Sequence, residues 1–158
     1  MEEPKKSHKI TVLYVDDEPE NLNAFKAAFR RDFNILLAKS APEGLSILDK
    51  NEVQVLLTDQ KMPEMSGIQF LELVLEMYPL PIRILITGYS DMEAVIDAIN
   101  KGQVYKYISK PWDENYLKII IEKSYEVYML REENKTLSES LLQANKQLEF
   151  MLRQKLLS

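Results

Sequence analysis

The 158-residue sequence contains no cysteine, so disulfides and thiolate metal sites are excluded. It has one histidine, His8, which rules out a histidine-based triad and a multi-histidine metal centre. There are only four glycines, Gly44, Gly67, Gly88 and Gly102, and no two are close together. A glycine-rich phosphate loop is therefore missing, and the chain is not expected to be a kinase or an ATPase. No apolar run approaches the roughly 20 residues that cross a bilayer. The opening Met1–Lys9 stretch is not followed by an apolar segment of signal-peptide type, so the expected location is the cytoplasm, away from membranes. The net charge of −5 lacks the basic footprint of a nucleic-acid-binding surface, and no direct nucleic-acid binding is expected.

What is present is a hydrophobic fraction of 46%, enough for an ordinary core. Ile10 to Val15 is a continuous apolar, β-branched run, the mark of a strand buried on both faces. Leu22, Phe25, Ala28 and Phe29 then recur at helical spacing. Ile35–Ala38 reads as a second strand, followed by a helix that starts near Ser40 or Ala41 with Pro42 in its first turn. The alternation continues. Val53–Thr58 is a strand ending at Asp59, Ile68–Met77 a helix, and Ile82–Thr87 a strand. Asp91 can cap a helix stopped by Gly102, and Val104–Ser109 is the last strand. Five strands separated by helices predict an α/β fold, a five-stranded parallel sheet with helices on both faces.

The polar residues that break this pattern sit at strand ends. Asp16 and Asp17 follow the first strand and Asp59 the third; Thr87 closes the fourth and Lys110 follows the fifth. In an open parallel sheet these ends form the ligand-binding edge. Three carboxylates on one edge repel unless a cation cancels their charge, and Mg²⁺ suits oxygen ligands. A lysine and a hydroxyl beside them suit a phosphoryl group, and a carboxylate can itself be the nucleophile. The pattern therefore points to a Mg²⁺-dependent acyl-phosphate site. The competing reading takes the acids as helix caps and turn residues, with Asp17 and Asp91 as natural N-caps.

Val15-Asp16-Asp17-Glu18, Leu57-Thr58-Asp59-Gln60-Lys61-Met62-Pro63 with Gly67, Ile86-Thr87-Gly88, and Tyr107-Ile108-Ser109-Lys110-Pro111-Trp112 stand in this order. Over roughly residues 8 to 125 the chain resembles the receiver domain of two-component response regulators, a flavodoxin-like, doubly wound fold. The resemblance implies that Asp59 is the phosphoacceptor. It implies that Asp16, Asp17, Asp59 and the backbone carbonyl of Lys61 hold Mg²⁺. Thr87 would be the switch hydroxyl, Tyr107 the switch aromatic and Lys110 the phosphoryl-binding lysine, with Lys110–Pro111 cis. No organic cofactor is implied. The donor would be a phosphohistidine on a sensor histidine kinase or phosphotransfer protein. Lys61 and Tyr89, two residues beyond Asp59 and Thr87, would flank the path of the hydrolytic water, and Tyr89 would slow self-hydrolysis.

From Asp113 to the end there is neither proline nor glycine, and one helix of that length would run about 69 Å. Val127, Leu130, Asn134, Leu137, Leu141, Ala144, Leu148 and Met151 alternate as a and d of a heptad repeat. Asn134 at an a position favours a parallel two-stranded register. Glu126 and Arg131 fall at g and e, where a cross-chain pair can form, and the seam degrades at Lys155. The expectation is a flexible 1–8, a receiver domain over 9–125 and a dimerising coiled coil over 126–158. Contact over 127–151 would make a homodimer and lead to an output domain, such as a cyclic-dinucleotide enzyme. The chain itself would not be an enzyme beyond phosphotransfer to its own aspartate. The alternatives are a Mg²⁺-dependent phosphatase with an aspartate nucleophile and a stand-alone dimeric receiver scaffold.

Overall fold

The computed structural model describes residues 9–88 and 92–157. The expected flexible stretch 1–8, Tyr89 and the cap at Asp91 lie outside the described residues. The elements are β1 (Thr11–Val15), α1 (Pro19–Phe29), β2 (Asn34–Ala38), α2 (Ala41–Lys50), β3 (Val55–Asp59), α3 (Gly67–Met77), β4 (Ile82–Thr87), α4 (Met92–Asn100), β5 (Lys106–Ser109) and α5 (Glu114–Leu157).

All strands pair in parallel in the order β2-β1-β3-β4-β5. Successive side chains of a strand point to opposite faces, and both faces are covered. Val12, Tyr14, Val55, Leu57, Ile84 and Ile86 meet α1 and α5 through Phe25, Phe29, Leu117 and Ile121. Leu13, Val15, Leu56 and Leu85 meet α2, α3 and α4 through Leu48, Phe70, Val74 and Val95. This three-layer arrangement matches the expected doubly wound sheet. The strands are shorter than the apolar runs. Val53 and Val104 are buried but stand outside the ladder.

Helix starts follow local chemistry. Ser40 caps α2 by accepting from the Glu43 amide, and Ser66 closes a capping box with Gln69 on α3. Asp17 does not cap α1. The N-cap residue there is Glu18, with no side-chain cap bond, and Pro19 enters the first turn without needing a donor partner. The cap reading of Asp17 is thereby corrected.

Arg83 lies in an apolar strand, buried, and among the described residues it makes no ion pair. Its guanidinium donates to the carbonyls of Pro81, Gly102 and Gln103 at 3.0–3.1 Å. Gly102, at φ 74°, ends α4. The arginine thus ties the carboxyl end of α4 to the sheet, where a cation complements the helix dipole. Burial, and then the nearby Arg131, lower its pKa.

α5 is one continuous helix of 44 residues, about 66 Å long. Its first turns face the sheet through Leu117, Ile120, Ile121 and Ser124. The contact continues past residue 125. Tyr128 is buried and its hydroxyl donates to Glu52 at 3.2 Å, and the Arg131 guanidinium lies 6.0 Å from the Tyr105 ring centre. From Met129 to Leu157 every residue except Glu132 is exposed. Leu130, Leu137, Leu141, Leu148 and Met151 are each 57–64% exposed. Among the described residues, no helix is long and apolar enough to cross a membrane.

Candidate functional site

The strand order reverses between β1 and β3, which lie side by side although β2 intervenes in sequence. Such a reversal opens a crevice at the carboxyl ends of the strands. Register then decides which residues meet there. Val15 pairs with Thr58, so Asp16 and Asp59 are the next residues on neighbouring strands. Asp59 pairs with Ile86, which sets Thr87 one residue further along β4, and Thr87 pairs with Ser109, just before Lys110.

Asp16, Asp17 and Asp59 each present a carboxylate oxygen, and these oxygens lie within 4.8 Å of one another. Asp16 is fully buried and Asp59 nearly so. Lys110 Nζ meets Asp59 Oδ1 at 2.7 Å. Burial raises the Asp59 pKa above the usual carboxylate value. Lys110 opposes this shift and Asp16 adds to it.

The surrounding backbone fixes these groups. The Lys110 amide donates to the Thr87 carbonyl at 2.9 Å, and the Lys110–Pro111 peptide is cis, as the resemblance implied. Thr87 is buried, its hydroxyl donating to the Gly88 carbonyl at 2.9 Å. Tyr107 is half-buried and packs on the layer that contains Leu85, Val95 and Ala98. Lys61 opens the β3–α3 loop with its side chain exposed.

Four neighbours were not singled out from sequence. The Tyr14 hydroxyl donates to Asp16 Oδ2 at 2.6 Å, and Asn21 Nδ2 donates to the same oxygen at 3.1 Å. Tyr14 stands two residues before Asp16 and so on the same face of the strand, a spacing that would have revealed the pair. Burial, and then Asp16, push the Tyr14 pKa far upward, so its hydroxyl remains a donor. Gln60 accepts from the Ile68 amide at 2.9 Å and so holds the start of α3 against β3.

Gly67, quoted earlier only as part of a motif, is where α3 crosses the phosphoacceptor candidate. A Cβ there would stand 2.3 Å from the Asp59 carbonyl oxygen and 2.9 Å from Leu85 Cδ1. Gly67→Ala is expected to destabilise the fold by about 1–3 kcal/mol in urea denaturation, because backbone and core must both yield.

The donor set fits a hard divalent cation. Its three acids offer closely spaced carboxylate oxygens, and Asp16 and Asp59 are buried, where like charges repel strongly.

A family model for the response regulator receiver domain matches residues 12–122. The chain belongs to the response regulator receiver domain family. Mg²⁺-dependent phosphorylation is typical of receiver domains, as is partnership with a sensor histidine kinase or phosphotransfer protein. The hydrogenase transcriptional regulatory protein HoxA of Bradyrhizobium diazoefficiens is 36% identical over 126 residues, covering 80% of this chain and 26% of HoxA. The chain spans about a quarter of the length of the curated relatives it matches. A crystal structure of an uncharacterized protein from Neptuniibacter caesariensis is 40% identical with a TM-score of 0.75, over 79% of this chain and 93% of that one. The crystal structure of an adenylate cyclase from Rhodopirellula baltica superposes with a TM-score of 0.80 at 27% identity, over 83% of this chain and 98% of that one.

Proposed function

We propose that this receiver domain is a phosphorylation switch whose phosphoacceptor is Asp59. The observation that carries the reading is the meeting of Asp16, Asp17, Asp59 and Lys110 at the β1/β3 crevice. An Asp59 carboxylate oxygen attacks phosphorus, forming a new O–P bond. The N–P bond of a donor phosphohistidine breaks, and the imidazole leaves with the electron pair and takes a proton from solvent. Lys110, already paired with Asp59, supplies positive charge to the transferred group. Mg²⁺, held by Asp16, Asp17, Asp59 and the Lys61 backbone carbonyl, supplies charge neutralisation when bound.

The Thr87 hydroxyl turns from the Gly88 carbonyl to the phosphoryl group, and Tyr107 follows it inward. The change passes to α5 because β5, carrying Tyr107, begins beside Tyr105, which Arg131 of α5 covers. In the free chain this contact engages the arginine that was assigned to a cross-chain pair. Two copies join in a parallel coiled coil over 127–151, in the cytoplasm, and the coil leads from the receiver over 9–125 to an output domain. The exposed leucine stripe on α5 supports that joining. The output is left open among the relatives, one named as a transcriptional regulator and one as an adenylate cyclase.

An aspartate-nucleophile phosphatase would carry a second acid two residues after the nucleophile, where this chain has Lys61. Incubation with acetyl phosphate and Mg²⁺ separates the two. Stable labelling, one phosphoryl group per chain, is the expected result. Continuous release of phosphate without labelled protein would overturn the reading.

A further inference from the structure

On the side of the sheet facing α1 and α5, Tyr14 carries a hydroxyl among buried apolar neighbours that include Val12, Leu57 and Phe25. Tyr14 is 1% exposed, and its ring packs on Phe25 with ring centres 4.6 Å apart. A phenylalanine would make that contact without burying a polar atom, whose removal from water is costly unless it is hydrogen-bonded. The hydroxyl's partner is the Asp16 carboxylate, at 2.6 Å.

Asp16 is held at both oxygens. Oδ2 accepts from Tyr14 and Asn21, and Oδ1 accepts from the Glu18 amide at 2.9 Å. An ionised carboxylate has about four lone-pair sites. Three donors therefore occupy most of its capacity and leave one direction for a further partner. The rotation of a free aspartate about its last torsion is removed before any cation arrives.

We infer that Tyr14 is a positioning residue of the metal site, its buried hydroxyl fixing the Asp16 carboxylate in the orientation that binds Mg²⁺. The inference rests on the assignment of Asp16, Asp17 and Asp59 as the Mg²⁺ ligands. It adds a residue outside the strand-end set. Groups that orient a metal's ligands commonly change metal affinity by about 10- to 100-fold when removed.

The test is titration of the whole chain with Mg²⁺ alone, followed by calorimetry and by the fluorescence of Trp112. Trp112 is the single tryptophan and lines the same cavity as Tyr14, Asn21 and Lys110. Tyr14→Phe keeps the ring and removes the hydroxyl. Its Mg²⁺ dissociation constant is expected to rise about tenfold. Its unfolding temperature in chelator should stay within about 3 °C of the parent, a shift of roughly the size that small stability changes give. Labelling by acetyl phosphate should recover the parent rate at saturating Mg²⁺, so that the defect lies in the metal requirement and not in the transfer.

Asn21→Ala removes the longer hydrogen bond to the same oxygen from a half-buried position on α1. It provides a second reading if Tyr14→Phe folds poorly, and it should weaken Mg²⁺ binding by a smaller factor. Affinity unchanged or tighter in a folded Tyr14→Phe, or in Asn21→Ala should Tyr14→Phe not fold, would overturn the inference. A parent chain that binds no Mg²⁺ would overturn the ligand assignment itself, and the two failures are told apart by the parent titration.

Discussion

Asp17→Asn is expected to abolish Mg²⁺-dependent labelling while making the metal-free protein more stable. Asp17 is the most exposed of the three clustered acids and caps no helix, so its charge is the main thing the substitution removes. Without a cation, two unit charges about 4–5 Å apart cost about 1–4 kcal/mol, depending on the local dielectric. Relief of part of that repulsion should raise the unfolding temperature in chelator by a few degrees, at about 2–4 °C per kcal/mol for a chain of this size. The same change should weaken Mg²⁺ binding by about a hundredfold or more, since removing a ligand exceeds the cost of disturbing its support. Saturating Mg²⁺ should stabilise the parent by about 2.7 kcal/mol at a hundred times its dissociation constant, and the variant hardly at all. Thermal unfolding with and without Mg²⁺ reads both effects.

The pH dependence of the metal-free parent has a definite sign. The folded chain binds the Asp59 proton more tightly than the unfolded chain, because burial raises that pKa. Stability is therefore lost as pH rises from the ordinary carboxylate range through the raised value, and is regained on acidification. Asp59→Asn should flatten this slope.

Leu141→Asp is expected to turn a dimer into a monomer. Leu141 is 63% exposed in the single chain and occupies an a position at the centre of the 127–151 seam. Burying a leucine contributes about 2 kcal/mol. Both chains of a dimer lose it, so about 4 kcal/mol disappears before the cost of opposing two carboxylates is added. That corresponds to about a thousandfold in the dimer dissociation constant. Sedimentation at micromolar concentration should show the parent dimeric and the variant monomeric. The receiver body should unfold at the same temperature in both, because Leu141 lies beyond the last contacts of α5 with the sheet. A parent that is itself monomeric would remove the coiled-coil proposal and leave the phosphorylation site untouched.

The sheet and the strand-end acids were legible because they obey local rules. An apolar run of four to six residues, repeated in alternation with helical spacing, leaves few topologies, and the acids after the first and third runs fall at one edge. The parallel register then brings Asp16, Asp59 and Thr87 together without further information. What stayed hidden depended on atoms distant in sequence or on a residue's second property. Tyr14 read as one more core aromatic, although its place two residues before Asp16 sets its hydroxyl on that acid's side of the strand. Arg83 broke an apolar strand for no visible reason, because its three carbonyl partners belong to the preceding loop and to the end of α4. Gly67 is required by its approach to the Asp59 carbonyl, a contact between two elements whose closeness no propensity encodes. The extent of α5 packing was underestimated for a similar reason. Tyr128 docks on Glu52, 76 positions earlier in the chain.

One carboxylate, Asp59, is expected to receive the phosphoryl group. The direct measurement is chemical mapping after labelling with acetyl phosphate and Mg²⁺. Borohydride reduces an acyl phosphate on aspartate to homoserine, and peptide mass spectrometry then locates it. Homoserine is expected at position 59 alone, and none in Asp59→Asn or when Mg²⁺ is withheld. Homoserine at another aspartate in the parent chain, or labelling that persists in Asp59→Asn, would contradict it.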